Sequence, residues 1–142
     1  MRVVLDVNVW ISALLWGGVP SGILHLSRQK QLTIFVSQSL LEELENTVKR
    51  PKFQSQIKKQ NRTIEYLMSI TQGFCEKCPN ISLDIDISQL RDMKDYHILA
   101  AAVSAQAEVL ITGDQDLLVL NKFAEILIMT PADFLNTYFT SS

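Results

Sequence analysis

Residues that would support redox, zinc or dinucleotide chemistry are scarce in this sequence. It contains two cysteines, two histidines and five glycines in 142 residues. Cys75 and Cys78 form a single Cys-x-x-Cys pair, and no second pair completes a tetrahedral zinc site, so we interpret both as ordinary reduced cysteines at the end of a helix. The Gly-x-Gly-x-x-Gly pattern of dinucleotide-binding domains is absent as well. These absences argue against a thiol redox protein, a zinc protein and a dinucleotide-dependent enzyme.

Long apolar runs and a large excess of one charge are also missing. No segment approaches about 18 uninterrupted apolar residues, and the opening run reaches an acid at Asp6, too early for a signal peptide. We therefore expect a cytoplasmic protein that does not span a membrane. The formal net charge is −2, which gives no general attraction to nucleic acid. Any RNA binding must then use a local basic patch or a metal bridge.

The residues that are present predict one globular domain covering residues 1–142. Hydrophobic residues make up 47% and charged residues 20% of the chain, and a domain of this size buries roughly 70% of the surface that its unfolded chain exposes. Predicted strands alternate with predicted helices, which indicates a three-layer α/β/α fold around a mostly parallel central sheet. Ser39 and Glu42 form a capping box for the third helix. Strands are predicted at residues 2–5, 33–36, 81–87, 109–112 and 126–129, and helices at 7–15, 20–31, 39–49, after Asn61, at 94–105 and from Pro131.

Two aspartates each follow an apolar strand run. Asp6 comes directly after residues 2–5, and Asp114 follows the run that ends at Thr112. Ligands of open parallel sheets bind outside the carboxyl ends of the strands, so both carboxylates are candidates for one crevice. For either residue taken alone, the simpler interpretation is a helix cap, because an aspartate at a strand-to-helix turn commonly accepts backbone hydrogen bonds.

Acids in two predicted helices are the other candidates. Asp95 falls near the centre of an apolar stripe that includes Ile98 and Leu99, and a carboxylate on a buried face must be paired, bind a metal or face a cavity. The alternative for Asp95 is an acid that stabilises the first turn of its helix. Glu43 and Glu45 flank the inward face of the third helix, and periodicity does not choose between them. A solvated helix face is the default for both.

Four short motifs occur in order along the chain. They are VVLDVNV at residues 3–9, EL at 43–44 followed by RPKF at 50–53, RDxxD at 91–95 and TGDQDLL at 112–118. Each motif alone is weak. Together, in this order and over the whole chain, they resemble the PIN domain, and the chain is similar to the VapC-like toxins of toxin–antitoxin pairs.

The resemblance implies a set of functional residues. The catalytic acids, which would also be the ligands of Mg²⁺ or Mn²⁺, are Asp6, Glu43, Asp95 and Asp114, with Asp116 as an additional ligand. The resemblance thereby favours Glu43 over Glu45. Two further residues are candidates for supporting roles. Asn8 would orient a ligand or a water or else cap a helix, and Asp92 would either support the ligands or cap the helix that carries Asp95.

The residue types in this set agree with the chemistry that the resemblance implies. Carboxylate oxygens with no cysteine or histidine are suited to Mg²⁺ or Mn²⁺ rather than to zinc. The implied reaction is hydrolysis of RNA phosphodiester bonds, and the implied partners are an RNA substrate, an antitoxin protein and further copies of the chain in a homodimer or a higher homo-oligomer. The sequence departs from the family at Val7, where a hydroxyl residue is common, and at Tyr96, where related toxins often carry another acid.

Three alternatives remain at the level of the sequence. Lys58, Lys59 and Arg62 would form either an RNA-facing patch or an ordinary solvated helix face. The chain would also fit a PIN-like RNA- or protein-binding module that has lost its nuclease activity. A signalling receiver domain is disfavoured, because it needs adjacent acids after the first strand and a lysine after the last one. Here Asp6 is followed by Val7, and the run 126–129 leads to a threonine and a proline.

Overall fold

The computed structural model describes residues 1–83 and 93–139. The strands within these ranges are β1 (Arg2–Leu5), β2 (Thr33–Ser37), β3 (Cys75–Cys78), β4 (Val109–Ile111), β5 (Lys122–Phe123) and β6 (Ile126–Met129). The helices within them are α1 (Val7–Leu15), α2 (Gly18–Arg28), α3 (Gln38–Val48), α4 (Pro51–Lys59), α5 (Ile64–Phe74), α6 (Met93–Ser104), α7 (Gln115–Leu118) and α8 (Pro131–Tyr138).

The strands form one sheet in the order β3-β2-β1-β4-β6-β5. Every neighbouring pair is parallel except β5 and β6, which are antiparallel. Val3 and Leu5 of β1 pack into one hydrophobic layer with helices such as α1 and α2, whereas Val4 packs into the opposite layer with α6. This alternation follows from the two-residue period of a strand that is covered on both faces. The mostly parallel sheet and the three-layer α/β/α fold predicted from the sequence are therefore confirmed.

Two predicted helix starts were wrong. Ser37, not Ser39, caps α3, and its Oγ accepts a hydrogen bond of 3.2 Å from the backbone nitrogen of Leu40. Thr63, not Asn61, caps α5, and Asn61 has a φ of 56° in the turn before it. In both places several polar residues compete for the cap, and the path of the chain from the preceding element decides which hydroxyl reaches the helix.

Two further helices differ from the prediction, since α4 was not predicted and α2 has other bounds. The polar and basic segment 54–60 belongs largely to α4, because Pro51 starts that helix and Phe53 and Ile57 bury one side of it. Helix α2 begins at Gly18 and ends at Arg28, so that it starts and stops earlier than predicted. The short elements α7 and β5, of four and two residues, were not predicted.

The predicted strand at residues 81–87 was wrong where it can be compared. Residues 81–83 form no strand, and residues 84–87 lie outside the described ranges. The third strand of the sheet is instead β3, which pairs with β2 in the register Ile34↔Cys75. Glu76 and Lys77 of β3 are exposed, so this edge strand lacks the apolar alternation that sequence reasoning depends on. Pairing with β2 outweighs the weak local preference.

The two cysteines lie on β3, directly after α5 rather than inside its end. They are three residues apart in a strand and therefore point to opposite faces. The Sγ of Cys75 donates to the carbonyl of Thr71 at 3.1 Å, and the Sγ of Cys78 donates to the carbonyl of Ala101 at 3.8 Å. Both are free thiols. Burial raises the pKa of Cys75 to about 12, against a weaker opposing effect of Lys77, and burial also raises the pKa of Cys78. Both thiols are thus protonated and unreactive at neutral pH.

Candidate active site

The site lies where the order of the strands changes direction. From β1 the chain proceeds outward to β2 and β3, whereas β4 lies on the other side of β1 and leads to β6. Such a switch point leaves a crevice at the carboxyl ends of its two central strands. The backbone nitrogen of Asp6, which follows β1, donates to the carbonyl of Ile111 at the end of β4 at 2.9 Å. This hydrogen bond brings the residues after β1 and β4 together.

Asp6 is a helix cap and also lines this crevice. Its Oδ1 accepts a hydrogen bond of 2.7 Å from the backbone nitrogen of Val7, which makes it the N-cap of α1. Its Oδ2 accepts a hydrogen bond of 2.7 Å from the hydroxyl of Thr112. The cap interpretation is thus correct for Asp6, and it does not compete with a role in the crevice, because the cap holds the carboxylate at the strand end.

Asp114 is arranged in a similar way after β4. Its Oδ1 accepts a hydrogen bond of 2.9 Å from the backbone nitrogen of Asp116 and caps α7. Its own backbone nitrogen donates to the hydroxyl of Thr112 at 3.0 Å. One fully buried hydroxyl therefore connects Asp6 and Asp114. Sequence reasoning assigned no role to Thr112, although its position two residues before an aspartate at a strand end is the signal that could have identified it.

Replacing Thr112 by valine should remove the hydroxyl that connects Asp6 and Asp114 while keeping nearly the same side-chain shape. We expect the unfolding free energy to fall by about 1–3 kcal/mol, because two buried hydrogen bonds lose their shared hydroxyl. Any hydrolytic activity should fall by about 10–100-fold, as is usual when a residue that orients an acidic ligand is removed. Chemical denaturation and rate measurements would test both. The Thr112→Ser variant keeps the hydroxyl and should keep most of the activity, and a serine variant as impaired as the valine variant would contradict the connecting role.

Asp95 and Glu43 approach the crevice from two helices. Asp95 lies in the first turn of α6 and is 4% exposed, on the same buried side as Ile98 and Leu99. The predicted inward position of Asp95 is therefore confirmed. Glu43 is half-buried on α3. Glu45 of the same helix lines a different cavity, so the rotation of α3 distinguishes two glutamates that periodicity left equivalent.

One cavity of about 160 Å³ collects the candidate residues. Four are acids, three are small or neutral, and Arg50 is the one cation that the described residues contribute to its lining. The lining residues are Asp6, Val7, Asn8, Glu43, Thr47, Arg50, Asp95 and Asp114. As the side chains stand, no three or more histidine, cysteine, aspartate or glutamate groups within residues 1–83 and 93–139 are arranged to hold one metal ion. The acids thus share a cavity without forming a finished chelate.

The remaining predicted site residues divide into three cases. Asn8 lines the cavity and is exposed. Asp116 is exposed in α7 and contacts the site through the hydrogen bond from its nitrogen to Asp114. Asp92 lies outside the described residues. From the sequence, Arg50 was only one of several cations available for substrate contacts, and nothing placed it beside the acids. The proline that follows it fixes the start of α4, for which Arg50 is the N-cap residue.

A larger cavity lies elsewhere. It has a volume of about 600 Å³ and is lined by residues such as Arg28, Leu32 and Phe74. These residues lie near the amino-terminal ends of β2 and β3, whereas Asp6 and Asp114 follow the carboxyl ends of β1 and β4. Size alone would select this cavity, but it contains none of the predicted site residues, so the cavity between β1 and β4 is the candidate site.

No individual helix among those described has the length and apolar character needed to cross a membrane. Helices α1 and α2 reach that length and composition only as a pair, and they are bent by 92° at the break between them.

Three comparisons relate the chain to known proteins. A family model for the PIN domain matches residues 2–116. An uncharacterized protein of Methanocaldococcus jannaschii is 29% identical over 147 aligned residues, which cover 97% of this chain and 92% of that protein. The crystal structure of VapBC2 from Rickettsia felis bound to a DNA fragment from their promoter contains a chain of similar fold, with a TM-score of 0.64, 18% identity, and coverage of 90% of this chain and 97% of that one. The family match spans most of the chain, including Asp6, Glu43, Asp95 and Asp114, and the chain therefore belongs to the PIN domain family.

Proposed function

We propose that this protein is an endoribonuclease that hydrolyses RNA phosphodiester bonds with Mg²⁺ or Mn²⁺, and that it is the toxin of a toxin–antitoxin pair. The observation that carries the proposal is the single cavity at the β1–β4 switch point, where four acids and one arginine meet. Helix capping accounts for the positions of Asp6 and Asp114, but it does not explain why Asp95 and Glu43 line the same small cavity, where each carboxylate repels the others.

The donor atoms fit the proposed metal. Among the described residues, the acidic side chains of the cavity offer carboxylate oxygens and neither histidine nor cysteine lines it, which favours Mg²⁺ or Mn²⁺ over zinc. Asp6, Asp95 and Asp114 would be the main ligands, Glu43 would bind directly or through water, and Asp116 would join from the rim. When bound, the metal would neutralise phosphate oxygens and make an attacking water more acidic. Small side-chain rotations toward the cavity would complete the ligand set.

The other residues of the cavity would position the substrate. Arg50 would pair with a non-bridging phosphate oxygen next to the bond to be cut, where a guanidinium offers two parallel donors. Asn8 would orient a water or a ligand oxygen. Thr112 fixes the direction of the Asp6 carboxylate through its hydrogen bond and would hold that ligand in place during the reaction.

The proposed partners rest on similarity of fold. The crystal structure of VapBC2 from Rickettsia felis contains a DNA fragment from their promoter, bound to VapBC2. By analogy with this complex, we propose that an antitoxin protein covers this chain. From the resemblance to VapC-like toxins, we propose that the chain forms a homodimer or a higher homo-oligomer. We further propose one nuclease domain over residues 1–142, since both hydrophobic layers share a single sheet, and a cytoplasmic location, where such a toxin would meet its RNA.

The test is an assay of cleavage with and without metal. Purified protein is incubated with total RNA in Mn²⁺, Mg²⁺, Ca²⁺ or EDTA. We expect fragments with Mn²⁺ and Mg²⁺ and intact RNA with EDTA. Ca²⁺ should support binding without cutting, because its looser geometry and weaker effect on the acidity of water do not position a nucleophile. Intact RNA under every metal, with binding retained, would instead identify a binding module without nuclease activity.

A parallel incubation with acetyl phosphate and Mn²⁺ tests the receiver alternative. Phosphorylation of the protein together with intact RNA would establish that alternative. Receiver domains have the strand order 2-1-3-4-5, in which β1 lies between β2 and β3. In this sheet β1 lies between β2 and β4, so we expect no phosphorylation.

A further inference from the structure

We propose that the exposed indole of Trp16 stacks on an unpaired base of single-stranded RNA, beside a strip of cations that begins at the acidic cavity. This inference rests on the proposed function, since it names the form of the substrate and a contact outside the reacting centre. Trp16 lies in the turn after α1 and is 56% exposed, an unusually large exposure for an aromatic side chain of this size.

The indole of Trp16 packs against one neighbouring aromatic ring and otherwise remains largely exposed. Its ring meets the ring of Phe53 edge-on, with centroids 6.1 Å apart and planes at 65°. Phe53 is buried, so it anchors the indole against the core. The Nζ of Lys52 lies 4.8 Å from the centroid of the same Phe53 ring. The Trp16 indole and the Lys52 ammonium therefore contact the same buried ring, and an exposed ring for a base together with a cation for its phosphate is the combination that binds single strands.

The segment that carries Phe53 is rich in cations. Residues 49–62 contain six of the chain's 13 lysines and arginines and no aspartate or glutamate, although the whole chain has a net charge of −2. We call these six residues the cationic strip; they are Lys49, Arg50, Lys52, Lys58, Lys59 and Arg62. Helix α4 turns Phe53 and Ile57 inward, and Lys52, Lys58 and Lys59 are exposed. The strip therefore offers positive charge to a polyanion.

A second aromatic residue lies at the same end of α1. The Nη1 of Arg62 donates to the carbonyl of Leu14 at 2.7 Å, which ties Arg62 to the last turn of α1. The guanidinium carbon of Arg62 lies 5.9 Å from the ring centroid of Tyr66, and Tyr66 is 53% exposed. Arg62 thus connects the last turn of α1, which Trp16 follows, with a second exposed ring, that of Tyr66.

The strip is continuous with the acidic cavity. Arg50 lines the cavity and is also the residue directly before α4, whose first turn carries Lys52 and Phe53. Asp6 begins α1 and Trp16 ends it, so the two are roughly 15 Å apart along the helix at 1.5 Å per residue. A strand cut at the cavity would extend over the strip and present a base to Trp16. Stacking requires an unpaired base, which selects single-stranded RNA over a duplex.

Tryptophan fluorescence offers a direct test, because the chain has two tryptophans and Trp10 is 1% exposed. A short single-stranded RNA is titrated into the protein in EDTA and in Ca²⁺, so that no cutting is needed. We expect quenching of the Trp16 emission in wild type and none in Trp16→Phe, where only buried Trp10 emits. By fluorescence anisotropy, Trp16→Ala should weaken RNA binding by about tenfold, the size expected for one lost base stack, while Trp16→Phe should bind nearly as tightly as wild type.

Two controls make the result specific. Val119 is 71% exposed and follows α7, and Val119→Ala should leave RNA affinity unchanged. A duplex of the same length should not quench the indole. Unchanged emission on RNA binding in both buffers, or equal RNA affinity of Trp16→Ala and wild type, would overturn the stacking role. A Trp16→Ala variant that changes the mass of the protein in sedimentation but not its RNA affinity would overturn it too, and would assign the surface to a protein contact.

The stacking proposal and the nuclease proposal fail in different ways. Quenching is measured without cleavage. Quenching of the Trp16 emission in a protein that never cuts RNA would therefore contradict only the nuclease proposal. Cleavage of RNA with Mn²⁺ without quenching of the Trp16 emission would contradict only the stacking proposal.

Discussion

Asp95→Asn is expected to lower RNA cleavage by on the order of 10³-fold while leaving the protein folded. Asp95 is 4% exposed, and asparagine keeps its size while removing the charge that the proposed metal requires. Loss of one negative charge from a cavity shared with Asp6, Glu43 and Asp114 also relieves repulsion. The metal-free variant should therefore melt at the temperature of wild type or above it.

Thermal melts with and without Mn²⁺ separate this effect from general damage. At a Mn²⁺ concentration of 100 times its Kd, wild type should gain about 2.7 kcal/mol of stability, because only the native state binds. Asp95→Asn should gain less. Asp133→Asn is the matched control, since Asp133 is an exposed first-turn acid of α8 outside the cavity, and it should behave as wild type does. Equal metal-induced gains in all three proteins would remove Asp95 from the metal site.

Two substitutions of Asp6 separate its proposed role in catalysis from its role as the N-cap of α1. Asp6→Asn should also lower cleavage by on the order of 10²–10³-fold, but asparagine is as good an N-cap as aspartate, so α1 should keep its start. Asp6→Ala should lose the same activity and, in addition, about 1 kcal/mol of stability, because the carboxylate that accepts from the nitrogen of Val7 is gone.

Denaturant titration of the two variants, together with their cleavage rates, would test this separation. A folded Asp6→Asn variant that cleaves RNA at the wild-type rate would contradict a role of the Asp6 charge in catalysis. Equal stability of the alanine and asparagine variants would show that the cap contributes nothing.

The parts of the fold that sequence reasoning predicted correctly are those with a strong apolar pattern. Strands β1, β2, β4 and β6 are mostly apolar runs bounded by polar residues, so their positions could be predicted within a residue or so. Strand β3 could not, because an edge strand with exposed Glu76 and Lys77 carries no such pattern and depends on β2 for its existence. Starts of helices were uncertain wherever two hydroxyl or amide residues competed for one cap.

The candidate site was predictable to a similar degree. Asp6 and Asp114 could be placed by their positions after strands, and Asp95 by the inward face of α6. Glu43 could be chosen over Glu45 only through the family resemblance, since the rotation of α3 depends on its packing against the rest of the molecule. Thr112 was given no role, because its position two residues before Asp114 indicates only the local hydrogen bond to that residue, whereas its hydrogen bond to Asp6 joins residues 106 positions apart in the chain.

The helices that meet the cavity also affect its electrostatics. Helix α1 begins directly after Asp6, and Asp95 lies in the first turn of α6. The first turn of a helix has backbone N–H groups without partners in the helix, equivalent to about half a positive charge. Two helices therefore direct partial positive charge at the place where the acids crowd together. This positive potential offsets part of the mutual repulsion of the acids, so that the chain can fold around a highly acidic cavity before it has bound any cation.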